Sequence, residues 1–182
     1  MIAAELIVLA LAISTMNNKP SAETPAAPVA LAHVSHSFHF LIHAPLGSAA
    51  PLFGPEGERS WAGKEWDPQF LYPQPAKDVQ GAVFTVQQGD RKSVWVTTLF
   101  DVGSGRMQYV SVVPGIRAST VDVRLSAVDA ATTSVEVTYV RTALDGSANE
   151  EVRALGESDR QEGPHWQEAI ETYLRGQRDR KH

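Results

Sequence analysis

The chain has 182 residues, of which 43% are apolar and 20% charged, so its composition is that of an ordinary globular protein and its length fits a single domain. The formal net charge of −5 argues against nucleic-acid binding, because that function needs clustered Lys and Arg to neutralise phosphates. The absence of cysteine excludes disulfides, thiolate metal sites and cysteine nucleophiles.

The first thirty residues are predicted to lie outside the folded domain. Residues 6–13 form an apolar run followed by a stretch rich in Pro, Ala, Ser and Asn, which is typical of a secretory signal peptide and a flexible linker. The run is too short for a membrane span, which needs roughly 20 residues. Because Glu5 is the only charged side chain before it, the alternative is a disordered extension of a cytoplasmic protein. We expect a signal peptide and linker over 1–30, export to the periplasm or the medium, a domain over 31–177 and a disordered basic tail over 178–182.

The first strand is predicted over residues 33–43, where hydrophobicity alternates with period two. One face is expected to be buried: Val34, His36, Phe38, Phe40 and Ile42. The other face carries His33, His39 and His43, but a strand rises about 3.3 Å per residue, so even His39 and His43 lie about 13 Å apart. We therefore expect these histidines to be exposed and predict no metal site.

A short helix and a long loop follow. Residues 46–53 predict the helix, which ends at Gly54-Pro55. Residues 56–75 predict an irregular loop that carries Trp61 and Trp66, and loops of this length are often functional. The two tryptophans are expected to form either a lid over a cavity mouth or simple hydrophobic plugs.

The same loop carries three carboxylates: Glu56, Glu58 and Glu65. A carboxylate beside a tryptophan can have a raised pKa and act as an acid or a base. No partner for such a group is evident from the sequence, so the alternative is a solvated glutamate or one that caps a turn.

Five further strands are predicted at residues 82–87, 93–101, 107–113, 117–127 and 133–142, joined by tight turns into an antiparallel meander. Counting from the turns predicts these side chains on the core face: Val94, Val96, Thr98, Phe100, Met107, Tyr109, Ser111, Val113, Val121, Val123, Leu125, Val135, Val137 and Tyr139. The opposite face is predicted to carry Trp95, Thr97, Gln108, Thr120, Asp122, Arg124, Glu136 and Thr138. Arg124 is expected opposite Glu136 as a cross-strand pair.

Two helices are predicted near the end of the chain. Residues 149–155 favour a short one, and Gly163-Pro164 opens a longer one. The longer helix has a single apolar stripe: Trp166, Ile170, Tyr173 and Leu174. That stripe must pack on the sheet, which gives an α+β fold with a curved six-stranded antiparallel sheet wrapped around a long C-terminal helix. A twisted sheet cannot lie flat on a cylinder, so we expect a cavity between them.

Several segments together resemble the START-like superfamily, also called SRPBCC and often labelled polyketide cyclase or lipid-transport domains. They are HSFHFLIHAPLGSAAPLFGPEGERSWAGKEWDP, GAVFTV, VWVTTLFD, VEVTYVRTALDGSANE and a final W-x3-I-x2-YL helix, and they cover about residues 33–176. The resemblance implies a helix-grip fold with a deep apolar cavity. Members bind lipids, sterols, polyketides or hormones, and a minority are cyclases, dehydratases or oxygenase subunits. Because the chain lacks cysteine, it cannot carry the Rieske cluster of the oxygenases.

The predicted function is to bind a small hydrophobic molecule, lipid- or polyketide-like, between the sheet and the C-terminal helix. We expect no cofactor, no nucleic acid and no stable membrane span, and the oligomeric state is left open. The expected ligand-binding residues are Trp61, Trp66, Phe84, Thr98, Phe100, Tyr109, Ser111, Tyr139, Trp166 and Ile170.

Two other functions stay open. One is a cyclase or dehydratase that uses a cavity carboxylate or tyrosine. The other is a protein-interaction or chaperone-regulating domain, which would have a collapsed cavity and an exposed apolar patch.

Overall fold

The computed structural model describes residues 29–180, so almost all of the predicted signal peptide and linker lies outside the described residues. Seven strands form one antiparallel sheet in the order β1-β7-β6-β5-β4-β3-β2. The strands are β1 His33–Ile42, β2 Gln69–Tyr72, β3 Val83–Gln88, β4 Arg91–Asp101, β5 Arg106–Val113, β6 Arg117–Ala127 and β7 Thr133–Ala143. The helices are α1 Leu46–Ala49, α2 Pro55–Glu58, α3 Asn149–Asp159 and α4 Glu162–Asp179, with 3₁₀ turns at Ala50–Phe53 and Gly146–Ala148.

The sheet has one strand more than the six predicted. The extra strand, β2, is a four-residue segment that pairs with β3 at the sheet edge, inside the stretch predicted to be an irregular loop. It lies between Pro68 and Pro73, and a proline has no backbone N–H to donate to a ladder. So short a strand between prolines has too few residues for a period-two pattern to be visible.

The apolar stripe predicted for the C-terminal helix is confirmed by the way α4 packs. Ile170 is fully buried in the main core, and Trp166, Tyr173 and Leu174 pack against the same core. The helix continues to Asp179, two residues past the predicted end of the domain. That core also contains side chains from β1 and from the concave face of the sheet: Phe38, Phe40, Met107, Val123, Val135 and Val137. No helix within residues 29–180 is long and apolar enough to cross a membrane.

The side-chain facing predicted for most of β4 is wrong. Trp95 is paired with Ser111, and Thr97 is paired with Tyr109, across the β4–β5 ladder. Residues directly opposite each other share a face, so Trp95 and Thr97 lie on the concave side instead of the outer one. The residues expected on the concave side lie on the outer one: Val94, Val96 and Thr98.

A bulge explains this error. The β4–β5 register shifts between Thr97 and Leu99, which adds one residue to β4. Beyond the bulge, Phe100 pairs with Met107 on the concave side, as predicted. Counting back from the turn after β4 therefore gives the correct face only as far as the bulge.

The register predicted for β6 and β7 is confirmed, since Arg124 lies directly opposite Glu136. These two side chains do not pair with each other. Arg124 instead bonds Asp122 at 2.7 Å, and Glu136 lies 3.8 Å from His39 on the neighbouring strand β1. Both arrangements are exposed and contribute little to stability.

Candidate functional site

The concave face of the sheet changes in character along the strands. One half is aliphatic and closely packed by the core: Met107, Val123, Leu125, Val135 and Val137. The other half carries polar and charged side chains: Ser93, Ser111, Arg117, Ser119 and Arg141. Toward this polar half lies a cavity of about 370 Å³, a volume within the usual range of small-molecule sites.

Several elements form the wall of the cavity. The floor comes from β3–β7, one side from α2 and the loop after it, and the other from the C-terminal half of α3 and the first turns of α4. Residues from these helices that reach the cavity include Glu58, Leu155, Glu162, His165 and Ala169. The cavity therefore lies between the sheet and the C-terminal helix.

All four tryptophans of the chain line this cavity. They form two edge-to-face pairs. The ring centroids of Trp61 and Trp166 are 5.2 Å apart, and those of Trp66 and Trp95 are 5.6 Å apart. Edge-to-face pairs of this kind hold aromatic rings in fixed orientations, so the wall presents rigid aromatic surface.

Most of the indole N–H groups are already bonded within the protein. Trp61 donates to Leu52 O at 2.7 Å, Trp66 to Pro55 O at 3.0 Å and Trp95 to Ser93 Oγ at 2.8 Å. These three rings therefore have no N–H left over for a ligand. What they offer instead is apolar contact area.

Glu58 places a carboxyl group against the same cavity. It is the last residue of α2 and is half-buried, and within residues 29–180 its carboxyl makes no hydrogen bond. Burial raises the pKa of Glu58 well above its usual value, and the charge of Asp78 raises it further. A raised pKa keeps a carboxyl protonated over a wider pH range, and the protonated form can donate a hydrogen bond to a ligand oxygen.

Asp78 positions the helix that carries Glu58. Its carboxylate accepts the backbone N–H of Glu56 at 2.8 Å and that of Gly57 at 3.1 Å, both at the start of α2. The approach is so close that a side chain at Gly54 would collide with the Asp78 carboxylate. Burial also raises the pKa of Asp78, while these two N–H groups lower it.

The two cavity tyrosines differ in how their hydroxyls are bonded. The Tyr109 hydroxyl donates to Phe53 O at 2.6 Å, so it is satisfied within the core. The Tyr139 hydroxyl makes no hydrogen bond within the described chain, and Arg141 lies over its ring at 4.3 Å from the centroid. Burial raises the pKa of both phenols, so both are neutral donors. Of the two, Tyr139 is the one with a free hydroxyl.

A basic region forms one end of the cavity, where Arg117 and Arg141 line it. Arg141 makes a two-pronged bond to Asp159, with Nε and Nη2 at 2.7 and 2.6 Å from the two carboxylate oxygens. Arg117 donates only Nη1, at 2.7 Å, to Glu151. Burial lowers the pKa of Arg117, and the positive charge of Arg141 lowers it further.

The structure brings seven of the ten predicted ligand-binding residues to the cavity wall: Trp61, Trp66, Phe84, Tyr109, Ser111, Tyr139 and Trp166. Ile170 and Phe100 belong to the core instead. Thr98 lies on the outer face, where its hydroxyl donates to Gln108 O at 3.1 Å. Its displacement follows from the bulge in β4.

The cavity residues that were not predicted from the sequence include Trp95, Arg117, Arg141 and His165. Trp95 was predicted on the outer face because the bulge in β4 could not be seen in the sequence. For the two arginines a signal was present, because Arg117 and Arg141 continue the same alternation that places Val121 and Tyr139 on the concave face. A charged residue in phase with a buried face is itself evidence of a site.

Neither a family model nor a curated protein matches this sequence. Solved structures do match it. An uncharacterised protein from Rhizobium leguminosarum matches with a TM-score of 0.57 at 18% identity, over 80% of this chain and 97% of that one. Norcoclaurine synthase from Thalictrum flavum gives a TM-score of 0.57 at 8% identity, over 94% and 97% of the two chains.

The di-domain ARO/CYC protein BexL matches with a TM-score of 0.56 at 15% identity, over 76% of this chain and 46% of that one. The chain has the START-like helix-grip fold. At these identities the likeness shows the fold alone. In this START-like domain the cavity lies between the sheet and the C-terminal helix, the position that the sequence resemblance implied.

Proposed function

We propose that this START-like domain binds a small, largely apolar molecule with aromatic rings in the cavity. The observation that carries the proposal is that all four tryptophans of the chain line one cavity of about 370 Å³. Rigid aromatic walls favour flat ring systems, because stacked and edge-to-face contacts contribute about 0.5–1.5 kcal/mol per pair beyond area burial. Such a wall suits a polyketide-like ring system better than a flexible lipid chain.

The size of the space supports an occupant. A cavity of about 370 Å³ lies within the usual range of small-molecule sites, and it is partly open to solvent. Its polar groups suit a hydrated site that a ligand can enter.

The structural neighbours give independent support. Norcoclaurine synthase has been crystallised with dopamine and hydroxybenzaldehyde, both of them small aromatic molecules. A cavity that is open and lined by aromatic rings also favours ligand binding over a protein-interaction domain, for which we expected a collapsed cavity.

A neutral fluorescent probe tests the proposal. N-phenyl-1-naphthylamine should bind the full chain with enhanced emission and with energy transfer from the tryptophans. Ala169→Phe, which places a ring in the cavity, should abolish binding. Ala154→Phe is the matched control, because it adds the same ring to an exposed alanine on α3 away from the cavity. Equal probe binding by Ala169→Phe and the wild type would show that the probe does not use this site.

Glu58 favours a second candidate function, acid–base catalysis on the bound molecule. Its carboxyl lies at the cavity, its pKa is raised by burial, and no protein hydrogen bond within residues 29–180 occupies it. A general acid or base with a pKa near the working pH is most effective. This candidate requires only one group that touches the ligand, and the tyrosine with a free hydroxyl, Tyr139, is available to orient it.

The base activity of Glu58 can be measured without knowing the substrate. In the ring opening of 5-nitrobenzisoxazole, the Glu58 carboxylate would take the C3 proton while the N–O bond breaks to give a cyanophenolate. Glu58→Gln should lose this activity, and Glu168→Gln, on the exposed face of α4, should keep it. An unchanged rate in Glu58→Gln would exclude Glu58 as the base.

A further inference from the structure

The basic end of the cavity has an unused recognition edge. Arg117 donates to Glu151 through Nη1 alone, and within residues 29–180 neither its Nε nor its Nη2 makes a hydrogen bond. Arg141 uses this same Nε and Nη2 edge to hold both oxygens of Asp159. Two parallel N–H donors on one edge match the two oxygens of a carboxylate.

The surroundings of Arg117 leave it short of negative charge. Its one carboxylate partner, Glu151, is shared, because Arg91 donates to the same Glu151 oxygen at 2.6 Å. Arg141 is a diagonal neighbour on the sheet, and its charge lowers the pKa of Arg117. Three guanidinium groups thus face two carboxylates, Glu151 and Asp159.

Neutral polar groups beside Arg117 suit an anion as well. Arg117 is directly opposite Val113 in the β5–β6 ladder, so Ser111, two residues before Val113, is its diagonal neighbour. Its hydroxyl makes no hydrogen bond within the described residues, and it lines the cavity. Three carboxyl groups on other elements also line the cavity, those of Glu58, Glu65 and Glu162, and Glu162 lies 3.4 Å from His165.

We propose that the ligand is an aromatic carboxylic acid, with its carboxylate on the Nε and Nη2 edge of Arg117 and its rings between the tryptophan pairs. This inference rests on the proposed binding function and adds the charge and the orientation of the ligand. Glu58, which lines the same cavity, is then available to the ring system, where its carboxyl, when protonated, can donate to a carbonyl or hydroxyl oxygen.

Calorimetric titration with 2-naphthoic acid and its methyl ester tests this orientation, because the two share their rings and differ in charge. A hydrogen-bonded charge in the cavity is expected to favour the acid by at least about tenfold in Kd in the wild type. Arg117→Gln should lose this preference and bind the acid and the ester with similar Kd values. Arg117→Lys, which keeps the charge but loses the two-donor edge, should retain only part of the preference.

Arg124→Gln is the matched control, since it removes an exposed arginine from the outer face of the same strand. It should keep the full preference for the acid. Equal Kd values for acid and ester in the wild type, or an undiminished preference in Arg117→Gln, would overturn the assignment and leave ligand binding intact. Failure of both compounds to bind would instead count against the proposed function itself. Binding of the ester also shows whether the Arg117 variants are folded. The ratio of the two Kd values in the wild type tests the proposal even if a variant fails to fold.

Discussion

Replacing Arg141 by methionine should destabilise the domain strongly, because it leaves the Asp159 carboxylate buried without its partner. The two side chains are only 13% and 7% exposed, and two hydrogen bonds of 2.7 and 2.6 Å join them. Arg141 lies on β7 and Asp159 is the last residue of α3, so this pair ties that helix to the sheet at the basic end of the cavity.

The size of the effect follows from the burial. Breaking one partner of a buried ion pair typically costs about 3–5 kcal/mol, because the remaining charge is uncompensated. For a domain of about 150 residues, 1 kcal/mol corresponds to about 3 °C in Tm. Arg141→Met should therefore lower Tm by roughly 9–15 °C. The loss of contact with the Tyr139 ring adds to this change in the same direction.

Calorimetry and urea denaturation of three variants would decide the matter. Arg141→Met combined with Asp159→Leu should recover most of the lost stability, since well-packed apolar residues can replace a buried pair. Arg124→Met should cost no more than about 1 kcal/mol, because its pair with Asp122 is at the surface. If Arg141→Met also cost less than about 1 kcal/mol, or if the double variant were as unstable as the single one, the pair would not be desolvated as the structure indicates.

Three further predictions concern stability. Glu58→Gln should be more stable than the wild type at neutral pH and should flatten its pH dependence. Burial raises the folded-state pKa of Glu58. The protonated side chain therefore contributes its full stability below the unfolded pKa of about 4.3, and the domain loses that stability as the pH rises through the folded pKa. Urea midpoints from about pH 4 to 8 would measure this, and a wild-type midpoint that rises in parallel with that of the variant would contradict it. Gly156→Ala should lower the free energy of unfolding by about 1–3 kcal/mol, because its new methyl group would lie 2.9 Å from side chains of β1. The control is Gly176→Ala on α4, whose methyl group contacts no other atom and which should be neutral or stabilising. Equal denaturation midpoints for the two would show that α3 is not closely packed. Tyr109→Phe should cost about 1–3 kcal/mol by leaving the Phe53 carbonyl unbonded, and a thermal melt unchanged within about 1 °C would refute that bond.

The architecture was predictable from the sequence because its elements are long and separated by strong turn signals. β5, β6 and β7 have 8 to 11 residues each, enough for a period-two pattern to fix which face is buried. α4 likewise has 18 residues, with an apolar stripe from Trp166 to Leu174 that fixes its buried face. The errors in the sheet, β2 and most of β4, occur where that periodicity is too short or is interrupted by a bulge.

The candidate site was predictable only in part, for a reason that the basic end makes clear. Arg117 and Arg141 are in phase with the buried face. Such residues can either lie in solvent beyond the core or line a cavity, and the outcome depends on which element covers that end of the sheet. The cover is α3, and it supplies both partner carboxylates, Glu151 and Asp159. These lie eight residues apart, so they project about 80° apart around the helix axis, within one broad stripe that faces the sheet. The sequence therefore contains two arginines in phase with the buried face of neighbouring strands, followed by two carboxylates on one helix. This pattern indicates a covered site only once the helix is known to lie over the arginines, because a buried charge then needs a partner from the other element.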